Sequence, residues 1–110
     1  MTLFQAVKTA SRKGDLIVPQ RSPYAVLAAA QAELGETAEE IAILMGDSYK
    51  EPGYDGPLGE ALDTIISLLD LIHVLEPNMT EAELMMIASS KLNKWTSKLE
   101  ENKHKFKKLP

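Results

Sequence analysis

No cysteine occurs in these 110 residues. That removes disulfide frameworks, thiolate zinc sites, iron–sulfur clusters and cysteine nucleophiles, and it leaves only oxygen or imidazole ligands for a metal. Imidazole is scarce too, since the chain holds 2 histidines. His73 falls on an apolar helix side, where a packed side chain is the usual reading, and His104 stands among lysines in the tail. Aromatic residues make up 5% of the chain, and its single tryptophan, Trp95, reads as core filling. No uncharged run approaches the ~20 residues that span a bilayer, and the start MTLFQAVKTASRKGD has no apolar stretch behind a basic head. The expectation is a soluble, cytoplasmic protein with no membrane contact.

Positive charge is short over most of the chain. Residues 1–86 carry 5 basic and 14 acidic groups, a net of −9, whereas residues 91–110 carry 7 lysines against 2 glutamates, a net of +5. An acidic body lacks the basic footprint that a phosphate backbone demands, so nucleic acid is not an expected partner. Cations suit it better. At 12.1 kDa the chain predicts one domain over 1–110, with a basic, frayed tail at 104–110.

Strand patterns and internal repeats are missing, and the punctuation predicts an all-α chain of four helices. Leu3 to Lys13 forms the first, stopped by Gly14, and DLIVPQRS reads as loop. Ser22 before Pro23 is a start signal, because serine caps free amides and proline is tolerated in the first turn. The second helix then runs to about Met45, where Gly46 ends it. GDSYKEPGYDGP is a long loop for a small bundle, the third helix covers about Leu58 to Leu75, and Thr80 with Glu83 forms a capping box that starts the fourth, towards Lys103.

The third helix is the most informative. At about 100° per residue, Leu62, Ile65, Ile66, Leu68, Leu69, Leu71, Ile72 and Leu75 cover roughly two-thirds of its circumference, which predicts burial on most sides. Glu60, Asp63, Ser67 and Asp70 share the narrow remainder, an arc of about 80°. On the second helix Glu33, Glu36 and Glu40 fall within about 60°, opposite Leu27, Leu34, Ala38, Ile41 and Met45. A solvated face explains such a stripe on a single helix. Two stripes on neighbouring helices are harder to explain that way, because two carboxylates about 4 Å apart repel by about 4 kcal/mol at an effective dielectric near 20. A divalent cation relieves that repulsion, and all-oxygen ligation suits Mg²⁺ or Mn²⁺ rather than zinc. The loop after the second helix lacks the alternating ligands of an EF-hand calcium site.

AELGETAEEI and GEALDTIISLLDLI resemble the Glu-x-x-Glu and Glu-x-x-Asp halves of the MazG-like all-α nucleoside triphosphate pyrophosphohydrolases, and ASSKLNKW is similar to the lysine-bearing part of that family's last helix. The resemblance covers about residues 22–98. Ala32 stands where many members have a further glutamate, as in the shorter variants similar to dCTP pyrophosphatases, and Asn93 and Lys94 only approximate the asparagine and arginines that follow the family lysine. The resemblance implies a four-helix bundle protomer that assembles into a homodimer or homotetramer. It also implies hydrolysis of a (deoxy)nucleoside triphosphate to the monophosphate and pyrophosphate, serving pool sanitation or control. Glu33, Glu36, Glu60 and Asp63 would hold Mg²⁺, with Mn²⁺ as a substitute. Of these, Glu36, followed by Glu33, would take the proton of the attacking water. Lys91 and Lys94, with Lys98 on the same face, would meet phosphates. A base slot is expected from helix one, the 14–21 loop and the third helix, where Asp70 is a possible base contact. The alternatives are a phosphoribosyl-ATP pyrophosphohydrolase and a non-catalytic helical oligomer that binds nucleotides or a protein.

Overall fold

The computed structural model describes residues 1–18 and 21–106. Those residues form helices and connections without a strand: α1 (Leu3–Ile17), α2 (Pro23–Leu44), α3 (Gly56–Leu75), α4 (Glu81–Glu101) and a 3₁₀ turn at Lys103–Lys105. The basic tail expected at 104–110 thus begins in that turn, while 107–110 lie outside the described residues. Among the described residues no helix is long and apolar enough to cross a membrane.

Most helix ends follow from the sequence. The Thr80 hydroxyl accepts the Glu83 amide at 3.1 Å while Glu83 Oε1 accepts the Thr80 amide at 3.4 Å, a reciprocal cap on α4. Ser22 accepts the Tyr24 amide at 3.1 Å ahead of Pro23. Gly46, at φ 79, ends α2: its amide and that of Asp47 donate to the carbonyls of Ile43 (3.1 Å) and Ala42 (2.8 Å). A second capping box, Thr2 with Gln5, starts α1. The first helix does not stop at Gly14 as its glycine predicts. Gly14 lacks the left-handed φ of a helix-ending glycine, its carbonyl accepts the Val18 amide at 2.8 Å, and the helix continues through Asp15, Leu16 and Ile17.

The chain divides into two compact units, Met1–Asn78 and Met79–Pro110. In the first, α3 packs along α2 and also against α1. The buried apolar residues are Phe4 and Val7 of α1 with Val26 and Ala30 of α2, and His73 of α3 is buried at 5% exposure. Burial, followed by the nearby Arg12 charge, lowers the His73 pKa and keeps the ring neutral. Burial of α3 on most sides is not what the fold provides. Ile65, Ile66, Leu68 and Leu75 all remain exposed, because periodicity measures the width of an apolar arc and not the number of elements available to cover it. The second unit holds α4, which has no buried residue. Trp95, expected to fill a core, is 63% exposed there.

Candidate functional site

The acidic stripes meet where the later half of α2 faces the first turns of α3. Thr37 and Thr64 mark the contact: their hydroxyls lie 3.2 Å apart, and each also bonds the carbonyl one turn back, that of Glu33 (2.9 Å) and of Glu60 (3.1 Å). This register brings together Glu33, Glu36 and Glu60, which present carboxylate oxygens all within 4.8 Å of one another. Asp55, Glu60 and Asp63 form a second set at the same spacing, and Glu60 belongs to both. The four predicted carboxylates are therefore gathered in one place.

The carboxylates of this centre repel one another. Burial, then the proximity and charge of Glu36, and the charges of Asp63 and Glu33, push the Glu60 carboxyl up to about 7. Burial, together with Glu36 and Asp63, also raises Glu33. Glu33 Oε2 and Glu60 Oε2 are buried and lack a hydrogen-bond partner among the described residues. An acceptor shut away from water without a partner is destabilising, more so when charged, so these oxygens are poised to take a proton or a cation. An all-oxygen donor set with unfilled lone pairs fits a hard divalent ion.

Glu40, the third member of the α2 stripe, behaves differently. It is 8% exposed, and its Oε1 accepts the Gly53 amide at 2.7 Å. A Cβ at residue 53 would stand 2.6 Å from that oxygen, so a side chain there would displace the Glu40 carboxylate from this bond. Glu40 thus ties the long α2–α3 connection to α2 shortly before Asp55.

A second carboxylate group lies farther along α3. Asp70 receives two hydrogen bonds from the Arg21 guanidinium, at 2.8 and 3.0 Å, and one from the Ser11 hydroxyl at 2.7 Å. Arg21 also donates to Asp15 at 2.9 Å and to Ser11. Burial alone would raise the Asp70 pKa, yet the bonds from Arg21 and Ser11 outweigh it and hold the carboxyl below its ordinary value. Arg21 and Asp70 form one end of a cleft of about 380 Å³ between α1 and α3, whose apolar lining includes Leu3, Ala6, Val7 and Ile66. In the second unit, Lys91, Lys94 and Lys98 line a groove of about 350 Å³ with Trp95.

Asp55, Arg21 and Ser11 are the residues that sequence reasoning missed as participants. Asp55 had a visible signal, an acidic residue just ahead of a Gly-Pro helix start and five positions before Glu60. Arg21 had none, because Asp70, which takes two of its hydrogen bonds, lies 49 positions away in sequence. No protein-family profile, curated protein or solved structure matches this chain.

Proposed function

We propose that the chain is an all-α nucleoside triphosphate pyrophosphohydrolase of the MazG-like kind, dependent on a divalent cation. The observation that carries this reading is the convergence of Glu33, Glu36, Glu60 and Asp63 from two helices, with buried oxygens of Glu33 and Glu60 left unpartnered. A scaffold helix pair has no use for such repulsion. These four carboxylates hold the ion, Mg²⁺ with Mn²⁺ as substitute. When bound it supplies the charge neutralisation that phosphoanhydride cleavage requires.

The chain's own residues do the rest. Glu36 is the most exposed member of its set and stands beside both Glu33 and Glu60, and solvent access makes it the carboxylate assigned to receive the proton. Water attacks the α-phosphorus, its proton passes to Glu36, the α–β bridging P–O bond breaks, and pyrophosphate leaves with that oxygen. The apolar cleft between α1 and α3 receives the base, with Arg21 and Asp70 at its polar end. Lys91 and Lys94 serve phosphate contacts on grounds of charge. The exposed apolar side chains of α3 are covered by a second copy in a homodimer or homotetramer. The purified protein is incubated with each ribo- and deoxynucleoside triphosphate and Mg²⁺, and products are resolved. Monophosphate with an equal amount of pyrophosphate is expected from at least one. Release of inorganic phosphate alone, or no release from any nucleotide, overturns the reading.

A further inference from the structure

Ser67 interrupts the apolar run of α3 between Ile66 and Leu68, on the narrow arc that also carries Glu60, Asp63 and Asp70. A hydroxyl in mid-helix either bonds the carbonyl one turn back or turns away from the helix. Thr9, Thr37, Thr64 and Thr96 all take the first course. Ser67 takes the second: its hydroxyl has no hydrogen-bond partner among the described residues, so its donor and its acceptor positions stay free.

The space it faces is the cleft already described. Ser67 lines the α1–α3 cleft of about 380 Å³ beside Arg21 and Asp70, and the same three residues border a smaller one of about 240 Å³ on the α2 side. Ser11, the other hydroxyl of the larger cleft, is spent, because it donates to Asp70 and accepts from Arg21. Ser67 is not. Its height on α3 decides which part of a nucleotide it would meet. Asp63 lies four residues before it and Asp70 three residues after, about 6 Å and about 4.5 Å along the axis at ~1.5 Å per residue. With the α-phosphate at the acidic centre and the base at the Arg21–Asp70 end, the sugar is what spans the interval. Sugar hydroxyls both donate and accept, and a serine hydroxyl answers either role without adding charge to an acidic face.

We propose that Ser67 reads the sugar, its hydroxyl bonding a pentose hydroxyl of the nucleotide and so setting which pentose is taken. This deepens the pyrophosphohydrolase reading and rests on it. The test crosses one substitution with one missing hydroxyl. Ser67→Ala and the parent chain are compared on the ribo-, 2′-deoxy- and 2′,3′-dideoxynucleoside triphosphates of the base hydrolysed best, with kcat and KM measured separately. Alanine is the better helix former and Ser67 has no internal bond to lose, so the variant is expected to melt no lower than the parent. The parent should favour the nucleotide that carries the bonded hydroxyl by ~3–10-fold in kcat/KM over the analogue that lacks it, the worth of one neutral hydrogen bond. Ser67→Ala should erase that preference and lose little on the analogue itself. Erasure at the 2′ step or at the 3′ step supports the proposal and says which hydroxyl is bound. A preference that survives the substitution at both steps, or a parent with none at either, overturns it while hydrolysis stands. No pyrophosphate from any nucleotide overturns the hydrolase reading and this proposal with it.

Discussion

Asp70 and Glu60 share one helix, yet their surroundings drive their acidities apart. Asp70 is met by a guanidinium and a hydroxyl, so its charge is matched and its pKa falls. Glu60 is met by other carboxylates, so its charge is resisted and its pKa rises to about 7. The first arrangement contributes to holding α1 and α3 together. The second destabilises the ion-free protein and is useful only if something else arrives. A carboxylate with its cation built in holds elements of the fold together, and a cluster without one is, on the function proposed above, a receptor for an ion.

That contrast is broken most directly by neutralising each group in turn. Glu36→Gln is expected to lower kcat by ~10²–10⁴, as loss of a positioned base does, with no loss of thermal stability. Undiminished turnover removes Glu36 from the chemistry. Asp70→Asn is expected to destabilise by ~2–3 kcal/mol, less than a fully buried pair because Arg21 and Asp70 side chains remain 19% and 20% exposed. Calorimetry on the ion-free protein shows this as a fall of roughly 10 °C in Tm. The same variant reports on the cleft, since unaltered base preference excludes Asp70 as a base contact.

The pH profile sharpens the comparison. Glu60 binds its proton more tightly folded than unfolded, so its contribution is complete below its ordinary value of 4.5 and is lost as pH rises through about 7. Asp70 has the opposite sign, its contribution being lost only as pH falls through its ordinary value of 3.8 and below. Burial of neutral His73 also costs stability as pH drops through 6.5. Glu60→Gln should therefore match the parent near pH 5 and exceed its Tm near pH 8 in EDTA. A constant gap across that range contradicts the assigned repulsion. Lys103→Ala, at an exposed ion pair with Glu100, sets the lower bound: a change under ~0.5 kcal/mol by urea unfolding.

The sequence was legible where chemistry is local. Ser22–Pro23, Thr80–Glu83 and Gly46 mark their helix ends because caps act over two to four residues, and the acidic stripes follow from helical spacing alone. What escaped depends on distant partners. Arg21 reaches Asp70 49 positions away, and Ser11 meets the same carboxylate across 59. The exposure of α3 escaped for a related reason: its leucines state how much apolar surface exists but not who covers it.

The lone tryptophan gives that uncovered surface an optical consequence. Trp95 is the only indole in the chain and stands exposed on α4, so emission excited in the indole band reports the surroundings of α4. A single chain should emit at the long wavelengths of hydrated indole and be quenched freely by iodide, drawn in by the neighbouring lysines. Any assembly that buries α4 will shift the light to the blue and shield it, while one formed through α3 alone will leave the colour unchanged.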